Sequence, residues 1–362
     1  MGREKMKIFQ SLISLGCLSL VSPFVFAGVL QGTFFSNQEW EIYCSNTGTC
    51  RAAGYQDDLA QDMPASILLT RKAGAKQAVQ AEFALSDYSQ SLDKKKLKNI
   101  HFYINGKDLG VIRLNGTNEP LMGTLNARQV NGLLQQVKKN VKIVFKNMHY
   151  SWQVSDTGMT ASLLKMDDFQ KRIGTVGALV KKGPANETKV LTPQPKLLVK
   201  KVKTATKPYL TLQPNAKQYK ALHTILLAAQ PDLQDGHAFC EGIYTEKGAT
   251  PQAIELYKLS NHKVLATTLC WRGAYNEGYG AWVINESLKG KANFVTESAS
   301  EFGDGEIASS QKGRGLGDCW AMSEWIWDGK TFVQSIDRWS GMCKGLAAGG
   351  VWNLDLIESV VR

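Results

Sequence analysis

The sequence predicts an α+β fold in two domains: a strand-rich first domain with two helices, then a mainly β, disulfide-bonded, Trp-rich second domain preceded by one helix. Three observations support this prediction. Alternating apolar runs separated by turn residues dominate both parts of the chain. Helical periodicity is confined to three short segments. A basic, proline-rich stretch, residues 181–214, divides the 362 residues into two parts, each long enough to bury a core.

The N-terminal segment has the pattern of an export signal. Basic residues within the first seven positions precede an apolar stretch, 8–26, which ends in Val-Phe-Ala. A basic start, an apolar centre and small residues before the cleavage point are typical of a cleaved secretory signal. We therefore expect a signal peptide over residues 1–27, cleavage after Ala27 and a periplasmic mature protein.

Two alternatives for this segment are weaker. Retention as a membrane anchor is disfavoured because Pro23 and several polar residues interrupt the apolar stretch. Leu15 and Gly16 precede Cys17 as in a lipoprotein signal, but Ser14 occupies the position that usually holds Leu. The mature protein is therefore not expected to be an integral membrane protein.

The first domain, residues 28–180, is predicted to begin with strands. EWEIYC alternates before a Gly-containing turn, SILLT follows Pro64, and HFYIN leads into Asn105-Gly106, a strong hairpin signal. Asn126 and Gln129 form the capping pair of a first helix that buries Val130, Leu133, Leu134 and Val137. A second helix is predicted from near Thr160 to Arg172, burying Leu163, Met166 and Phe169 and stopped by Gly174.

Residues 181–214 are predicted to be an exposed linker. They carry eight lysines against one glutamate and five of the ten prolines, so no long helix is possible there. The lysines either keep an exposed linker hydrated or contact an anionic envelope surface. Nucleic acid is not expected as a partner, because the basic run lacks interleaved aromatic residues.

The second domain, residues 215–362, is predicted to start with a helix and continue as strands. Asn215 and Gln218 again make a capping pair, and Tyr219, Leu222, Ile225, Leu226 and Ala229 form its buried stripe. Runs such as IELYKL, VLATTLCW and AWVIN follow, and WIWDGKTFV indicates a strand, an Asp-Gly turn and a strand.

The mature chain holds six cysteines, an even number that permits full pairing. Cys44 and Cys50 lie alone before the linker and are expected to pair with each other. Three pairings remain for the other four, and we favour Cys240 with Cys270 and Cys319 with Cys343. No Cys-x-x-Cys is present, so structural bridges are expected rather than redox activity.

Five segments of the mature chain carry a family resemblance: QEWEIYCSNTGTCRAAGYQ, PASILLTRKAG, SLLKMDDFQKRIGTVGALVKKG, GLGDCWAMSEWIWDGKTFV and GMCKG. Together they resemble the secreted bacterial family catalogued as domain of unknown function 1176, over nearly the whole mature chain. The resemblance implies the fold and an exported location, and no catalytic residues. The first domain is more distantly similar to the invasion-associated locus B family, whose members carry an early Trp-x-x-x-Cys strand. Ser45 and Asp355 depart from the first family, where Asp and Pro are expected.

Ligand-binding residues are predicted in loops of the second domain. Aromatic rings there lie beside charged and amide side chains that can orient a polar ligand such as a sugar. The set is Trp271, Arg272, Tyr275, Asn276, Glu277, Tyr279, Arg338, Trp339 and Lys344. The alternative for these rings is core packing, which is expected for Trp325 and Trp327, two apart on one strand and facing the same side.

The sequence lacks the Gly-x-Ser-x-Gly and His-Glu-x-x-His motifs, and we assign no catalytic residue, metal or cofactor. We predict a periplasmic binding or interaction protein whose partner is a cell-envelope component: a glycan, an anionic lipid surface or an envelope protein. One alternative is a two-partner scaffold. The other is an envelope glycan hydrolase that uses acidic residues of the second domain, namely Glu301, Asp304, Glu306, Asp318 and Glu324.

Overall fold

The computed structural model describes residues 30–59, 62–138, 140–231, 240, 243 and 251–362. The predicted signal peptide and Cys17 lie outside the described residues. Helices in the described part are α1 (Ala127–Leu134), α2 (Met159–Phe169) and α3 (Tyr219–Leu227), besides one 3-10 turn at Lys94–Lys96. No helix among these residues is long and apolar enough to cross a membrane. The rest is mainly β, which confirms the predicted fold class.

Two antiparallel sheets build the first half of the chain. Its strands are β1 (Thr33–Asn37), β2 (Trp40–Cys44), β3 (Cys50–Tyr55), β4 (Ala65–Arg71), β5 (Gln80–Leu85), β6 (His101–Ile104), β7 (Lys107–Val111), β8 (Arg113–Leu114), β9 (Leu121–Thr124), β10 (Ile143–Lys146) and β11 (Ser151–Val154). They are ordered β1-β2-β3-β4-β5-β9-β8 and β11-β10-β6-β7. The sheets and helices α1 and α2 enclose one core, in which Trp40, Phe83, Phe145 and Trp152 are fully buried.

Local sequence patterns fix several of these elements. Asn105 and Gly106 both have positive φ, 51° and 81°, as a two-residue hairpin turn between β6 and β7 requires. The predicted capping box of α1 is present: the Gln129 N–H donates to Asn126 Oδ1 at 3.0 Å, and the Asn126 N–H donates to Gln129 Oε1 at 2.9 Å. Helix α2 ends at Phe169, three residues before the prediction, because Lys171 adopts a left-handed conformation with φ 55°.

The second half stacks one helix and two sheets. Its strands are β12 (Leu197–Val199), β13 (Leu210–Leu212), β14 (Ile254–Lys258), β15 (Lys263–Arg272), β16 (Glu277–Asn285), β17 (Asn293–Ala299), β18 (Glu301–Gly303), β19 (Glu306–Lys312), β20 (Trp320–Trp327), β21 (Phe332–Trp339), β22 (Leu354–Ile357) and β23 (Ser359–Val361). Strands β13 to β17 and β18 to β22 form two antiparallel sheets in sequence order, and β12 pairs with β23. Helix α3 packs on the β13 to β17 sheet around Leu222 and Trp282. Trp327 lies between the β13 to β17 sheet and the β18 to β22 sheet.

Helix α3 starts differently from the prediction. Gln218 has helical dihedral angles and no side chain caps the helix start, so the predicted capping pair of Asn215 and Gln218 is wrong. The apolar stripe is nevertheless the predicted one: Tyr219, Leu222 and Leu226 are buried, and Ile225 and Ala229 pack against the same core.

Residues 181–214, which their composition predicts to be an exposed linker, are mostly exposed, and their backbone is hydrogen-bonded to both halves. Leu191 donates its N–H to Gln170 and Gln194 to Thr47, so the first part lies along the first half. Strand β12 then pairs in parallel with β23, and β13 is an edge strand of the β13 to β17 sheet. Backbone hydrogen bonds therefore hold the segment along both halves.

The two halves meet through a buried cluster, which we call the junction core. Its residues are Ala53, Tyr55, Leu68, Ala84, Leu346, Trp352 and Leu354. Trp352 donates its indole N–H to Ser66 Oγ at 2.8 Å across the contact. Strand β22 and the segment between β21 and β22 therefore pack on the first half.

All three favoured disulfides are formed, Cys44–Cys50, Cys240–Cys270 and Cys319–Cys343. The first closes the turn between β2 and β3, and the second ties residue 240 to the end of β15. The third links the start of β20 to the segment after β21, beside the junction core. Gly313, at the start of the loop between β19 and β20, packs against this last bridge.

Candidate functional site

The loop between β19 and β20, residues 313–317, is the centre of the candidate site, and we call it the glycine loop. Its ends are held by backbone hydrogen bonds from Gly313 to Cys319 at 2.8 Å and from Gly317 to Arg314 at 3.0 Å. Gly313 has no room for a side chain, because a Cβ there would lie 2.7 Å from the Cys319 Sγ and 2.8 Å from the Trp339 ring. The disulfide and the Trp339 ring thus pack directly on the loop backbone.

Tyr275 approaches the glycine loop from the turn between β15 and β16. Its ring lies beside Gly315, 3.5 Å from the position of a Cβ there, and its side chain remains 47% exposed. Asn276 fixes the turn, since it donates to the Lys312 carbonyl at 2.9 Å and accepts from the Lys312 N–H at 3.0 Å. The turn that carries the exposed Tyr275 ring is therefore fixed by hydrogen bonds between the Asn276 side chain and the Lys312 backbone.

The other predicted residues of this hairpin are partly engaged. Arg272 and Glu277 are exposed and pair with each other, with nitrogen and oxygen 2.8 Å apart. Trp271 packs against the core beneath α3 and closes over Gly278. Tyr279 packs edge-on against Phe302, with ring centroids 5.9 Å apart. Two of the predicted rings thus contribute to packing more than to the surface.

Three predicted residues beyond β20 lie at the contact between the halves. Arg338 donates to Asp355 at 2.6 Å. Trp339 is half-buried beside the junction core. Lys344 bonds to Glu39 and, at 2.5 Å, to Asp58 of the first half. Trp339 and Lys344 therefore help to join the halves, whereas Arg338 pairs within the second half.

Two exposed side chains beside the glycine loop were missed by sequence analysis. Tyr88 comes from a loop of the first half, is 57% exposed and packs on Gly345. Arg314 belongs to the glycine loop, and together with Tyr88 and Lys344 it lines a small cavity of about 30 Å³. Only Arg314 had a sequence signal, its place in a Gly-rich run. Tyr88 had none, because its position depends on how the halves pack.

Asp318 holds Arg314 in this position. It accepts from the guanidinium at 2.7 and 2.5 Å and from the Gly345 N–H at 2.6 Å. Burial alone would raise the pKa of Asp318, but these hydrogen bonds outweigh it and lower the pKa below its ordinary value. Asp318 is therefore an anion that positions Arg314, and it carries no proton to donate at neutral pH.

Three of the other acidic residues considered for hydrolysis, Asp304, Glu306 and Glu324, also form ion pairs or hydrogen bonds. Lys201 bonds to Glu306 at 3.1 Å and lies 3.6 Å from Asp304, which raises the pKa of the lysine even though partial burial opposes it. With Glu301, they line a cavity of about 200 Å³ on the β18–β19 hairpin. Glu324 accepts from Ser335 at 2.6 Å on the neighbouring strand.

Asp318, Cys319 and Cys343 bring an oxygen and two sulfur atoms within 4.8 Å of one another. Zinc and similar ions bind cysteine as thiolate. Both sulfurs are joined in a disulfide. The cluster therefore lacks the ligands that a metal ion would need.

Comparison with known proteins supports the family resemblance. A family model described as "Protein of unknown function (DUF1176)" matches residues 34–357. The chain is 24% identical over 358 residues to "Uncharacterized protein YpfG" of Escherichia coli (strain K12), covering 89% of this chain and 93% of that protein. No solved structure matches the chain.

Proposed function

The chain belongs to the DUF1176 family, whose description assigns no activity, and we propose that it is a periplasmic protein that binds a glycan of the cell envelope. The observation that carries the proposal is the pair of exposed rings, Tyr275 and Tyr88, which lie beside the glycine loop that bears Arg314. Sugars bind to aromatic faces through their apolar C–H surfaces and to fixed charged groups through their hydroxyls.

The rigidity of this surface supports binding. Asn276 holds the Tyr275 turn, Asp318 holds Arg314, and the Cys319–Cys343 bridge holds the glycine loop. A ligand that meets side chains already in place loses less affinity to ordering them. The cavity beside Arg314 is too small for a sugar ring, so the proposed ligand lies across the surface.

Export to the periplasm is part of the proposal. Three disulfides among the described residues are consistent with an oxidising compartment, in which such bridges persist. The basic and apolar pattern of residues 1–27 supports cleavage after Ala27, without a retained anchor. Intact mass of protein extracted from the envelope tests this step. A chain starting at Gly28 supports it, and one starting at acylated Cys17 contradicts it.

The domain boundaries, 28–180 and 215–362 around a basic segment, belong to the same proposal. A distant relationship of the first domain to the invasion-associated locus B family is supported by Trp40 and Cys44, which share strand β2 in the spacing expected for that family. Under this proposal the first domain supplies Tyr88 and the second supplies Tyr275 to one binding surface.

The test uses purified peptidoglycan and soluble muropeptides with the full mature chain. Tyr275→Ala and Tyr88→Ala should each weaken saturable binding about tenfold, as expected when a stacking contact is lost. Tyr209→Ala is the matched control, since Tyr209 is 42% exposed elsewhere on the second half, and it should leave binding unchanged.

Equal effects of all three substitutions, or no saturable binding, would contradict the proposal. Release of muropeptide products that is abolished by Glu301→Gln would instead identify the hydrolase alternative. A distinct binding partner for each half, with no glycan bound, would identify the scaffold.

A further inference from the structure

A second cavity lies on the first half and shares no residue with the glycine-loop surface. It encloses about 470 Å³, a size typical of small-molecule sites. Its floor is the outer face of the β6–β10 strand pair, where His101 is opposite Lys146 and Tyr103 is opposite Val144. The 3-10 turn with the residues that follow it, and the turn between β10 and β11, form its walls.

The cavity is strongly basic. Lys95, Lys96, Lys98 and Lys146 line it, together with two histidines, and no acidic side chain does. Two carboxylates that contact its lining residues are already paired: Asp93 lies 3.7 Å from Lys96, and Asp108 bonds to His101 at 2.9 Å. Lys95, Lys98 and Lys146 have no carboxylate partner within the described part of the chain.

The two walls are fixed to each other by Asn147. Its Nδ2 donates to the carbonyls of Lys96 and Lys98 at 2.7 and 3.0 Å, and its Oδ1 accepts from the His149 N–H at 2.8 Å. Asp93 orients the 3-10 turn by accepting from the Lys95 N–H at 2.9 Å. The lysines are therefore presented from an ordered backbone, although their ammonium groups repel one another in the free protein.

We propose that this cavity binds a ligand that bears a phosphate group. A multivalent anion neutralises more of the mutual repulsion of three unpaired ammonium groups than a single carboxylate does, and lysine is a common phosphate ligand. Tyr103, whose ring lies 4.6 Å from the Lys146 Nζ, and Met148, 95% exposed at the rim, offer apolar contact to the group that carries the phosphate.

The same chemistry is supplied by a soluble sugar phosphate or by a phospholipid headgroup, and the experiment separates these sources. Glucose 6-phosphate is titrated into the full mature chain, with glucose as its control. Phosphatidylglycerol vesicles are used in parallel, with phosphatidylcholine vesicles as their control. Binding of the sugar phosphate indicates a soluble source, and binding of only the anionic vesicles indicates a headgroup. Either result supports a phosphate site.

The variant that tests the cavity is the double substitution Lys98→Gln with Lys146→Gln. It should weaken phosphate binding about tenfold or more, and the effect should shrink as salt is added. The matched control, Lys289→Gln with Lys330→Gln, removes two exposed lysines that form no ion pair in the described part of the second half, and should change binding less than about twofold.

Equal weakening by both double variants would show that net charge, not the cavity, drives binding, and would overturn the proposal. Absence of binding to both the sugar phosphate and the anionic vesicles would also overturn it. Because the glycine-loop surface is unchanged in these variants, glycan binding by the same proteins is measured separately and does not depend on this result.

Discussion

The hydroxyl of Tyr55 donates a hydrogen bond of 2.6 Å to the carboxylate of Glu41 inside the contact between the two halves of the chain. The Met342 N–H, from the other half, donates to the same oxygen at 2.9 Å. Burial raises the pKa of Glu41 to about 7, even though these hydrogen bonds favour the charged form. The contact therefore contains a carboxyl group that titrates near neutral pH.

The first prediction concerns stability and pH. Glu41 has an ordinary pKa of 4.5 and a folded-state pKa of about 7, so the folded state binds more protons than the unfolded state between these values. The free energy of unfolding should fall as pH rises from about 4.5 through 7, by up to roughly 3 kcal/mol from this group, and then level off. Urea unfolding between pH 5 and 8 measures the slope.

Glu41→Gln should reduce this slope. It should not abolish it, because burial also raises the pKa of Asp337. Glu82→Gln, a change at an exposed position on β5, is the matched control and should reproduce the wild-type profile. Identical profiles for the wild type and Glu41→Gln would show that Glu41 does not titrate in this range.

The second prediction concerns the polar side of the junction. Glu358 accepts from Arg51 at 3.1 Å and from Ser45 Oγ at 2.8 Å, and its pKa is lowered because these contacts outweigh burial. Glu358→Gln should cost about 1 to 2 kcal/mol in urea unfolding at pH 7, since it weakens charge-assisted hydrogen bonds that are mostly shielded from water. Lys196→Gln, which removes the exposed partner of Glu358, should cost less than about 1 kcal/mol. A larger loss for Lys196→Gln would reverse this interpretation.

The third prediction separates surface rings from core rings. Tyr275→Ala should lower stability by less than about 1 kcal/mol, because the ring is half-exposed, whereas Trp327→Ala should cost about 3 to 5 kcal/mol, because Trp327 is fully buried. Trp339→Ala should fall between them, since the ring packs on Gly313 and beside the junction core. Urea unfolding gives all three values. Equal losses for Tyr275→Ala and Trp327→Ala would show that Tyr275 is structural and would remove it from the proposed site.

The fourth prediction concerns the segment after the first half. Glu187 bonds to the fully buried guanidinium of Arg172 and lies 3.9 Å from Arg71. Burial, with the nearby charge of Arg172, lowers the pKa of Arg71 to about 10. Glu187→Gln should destabilise the protein by about 3 kcal/mol in thermal or urea unfolding, because it leaves two buried cations with less compensation. Lys182→Gln, an exposed neighbour in sequence, should have little effect. A loss below 0.5 kcal/mol, as for an ordinary surface change, would contradict it.

Local patterns in the sequence determined the fold class, the start of helix α1 and the Asn105-Gly106 hairpin, and they reduced the pairing of the cysteines to three possibilities, of which the structure contains the favoured one. Each depends on residues close together in the chain or on a small number of possible pairs. The capping box of Asn126 and Gln129 and the buried stripe of α3 are formed by neighbours three or four positions apart, so nearby residues suffice to predict them. The family resemblance of residues 34–357 was likewise visible in short segments.

Only the tertiary structure decided which distant segments of the chain lie together at the surface. Composition indicated that residues 181–214 are exposed, but it could not indicate that their backbone is hydrogen-bonded to both halves or that strand β12 pairs with β23. Tyr88 lies beside Arg314, and Trp339 and Lys344 join the contact between the halves, because distant segments pack together. Such contacts depend on the burial and hydrogen bonding of residues far apart in sequence, which no local periodicity or spacing encodes.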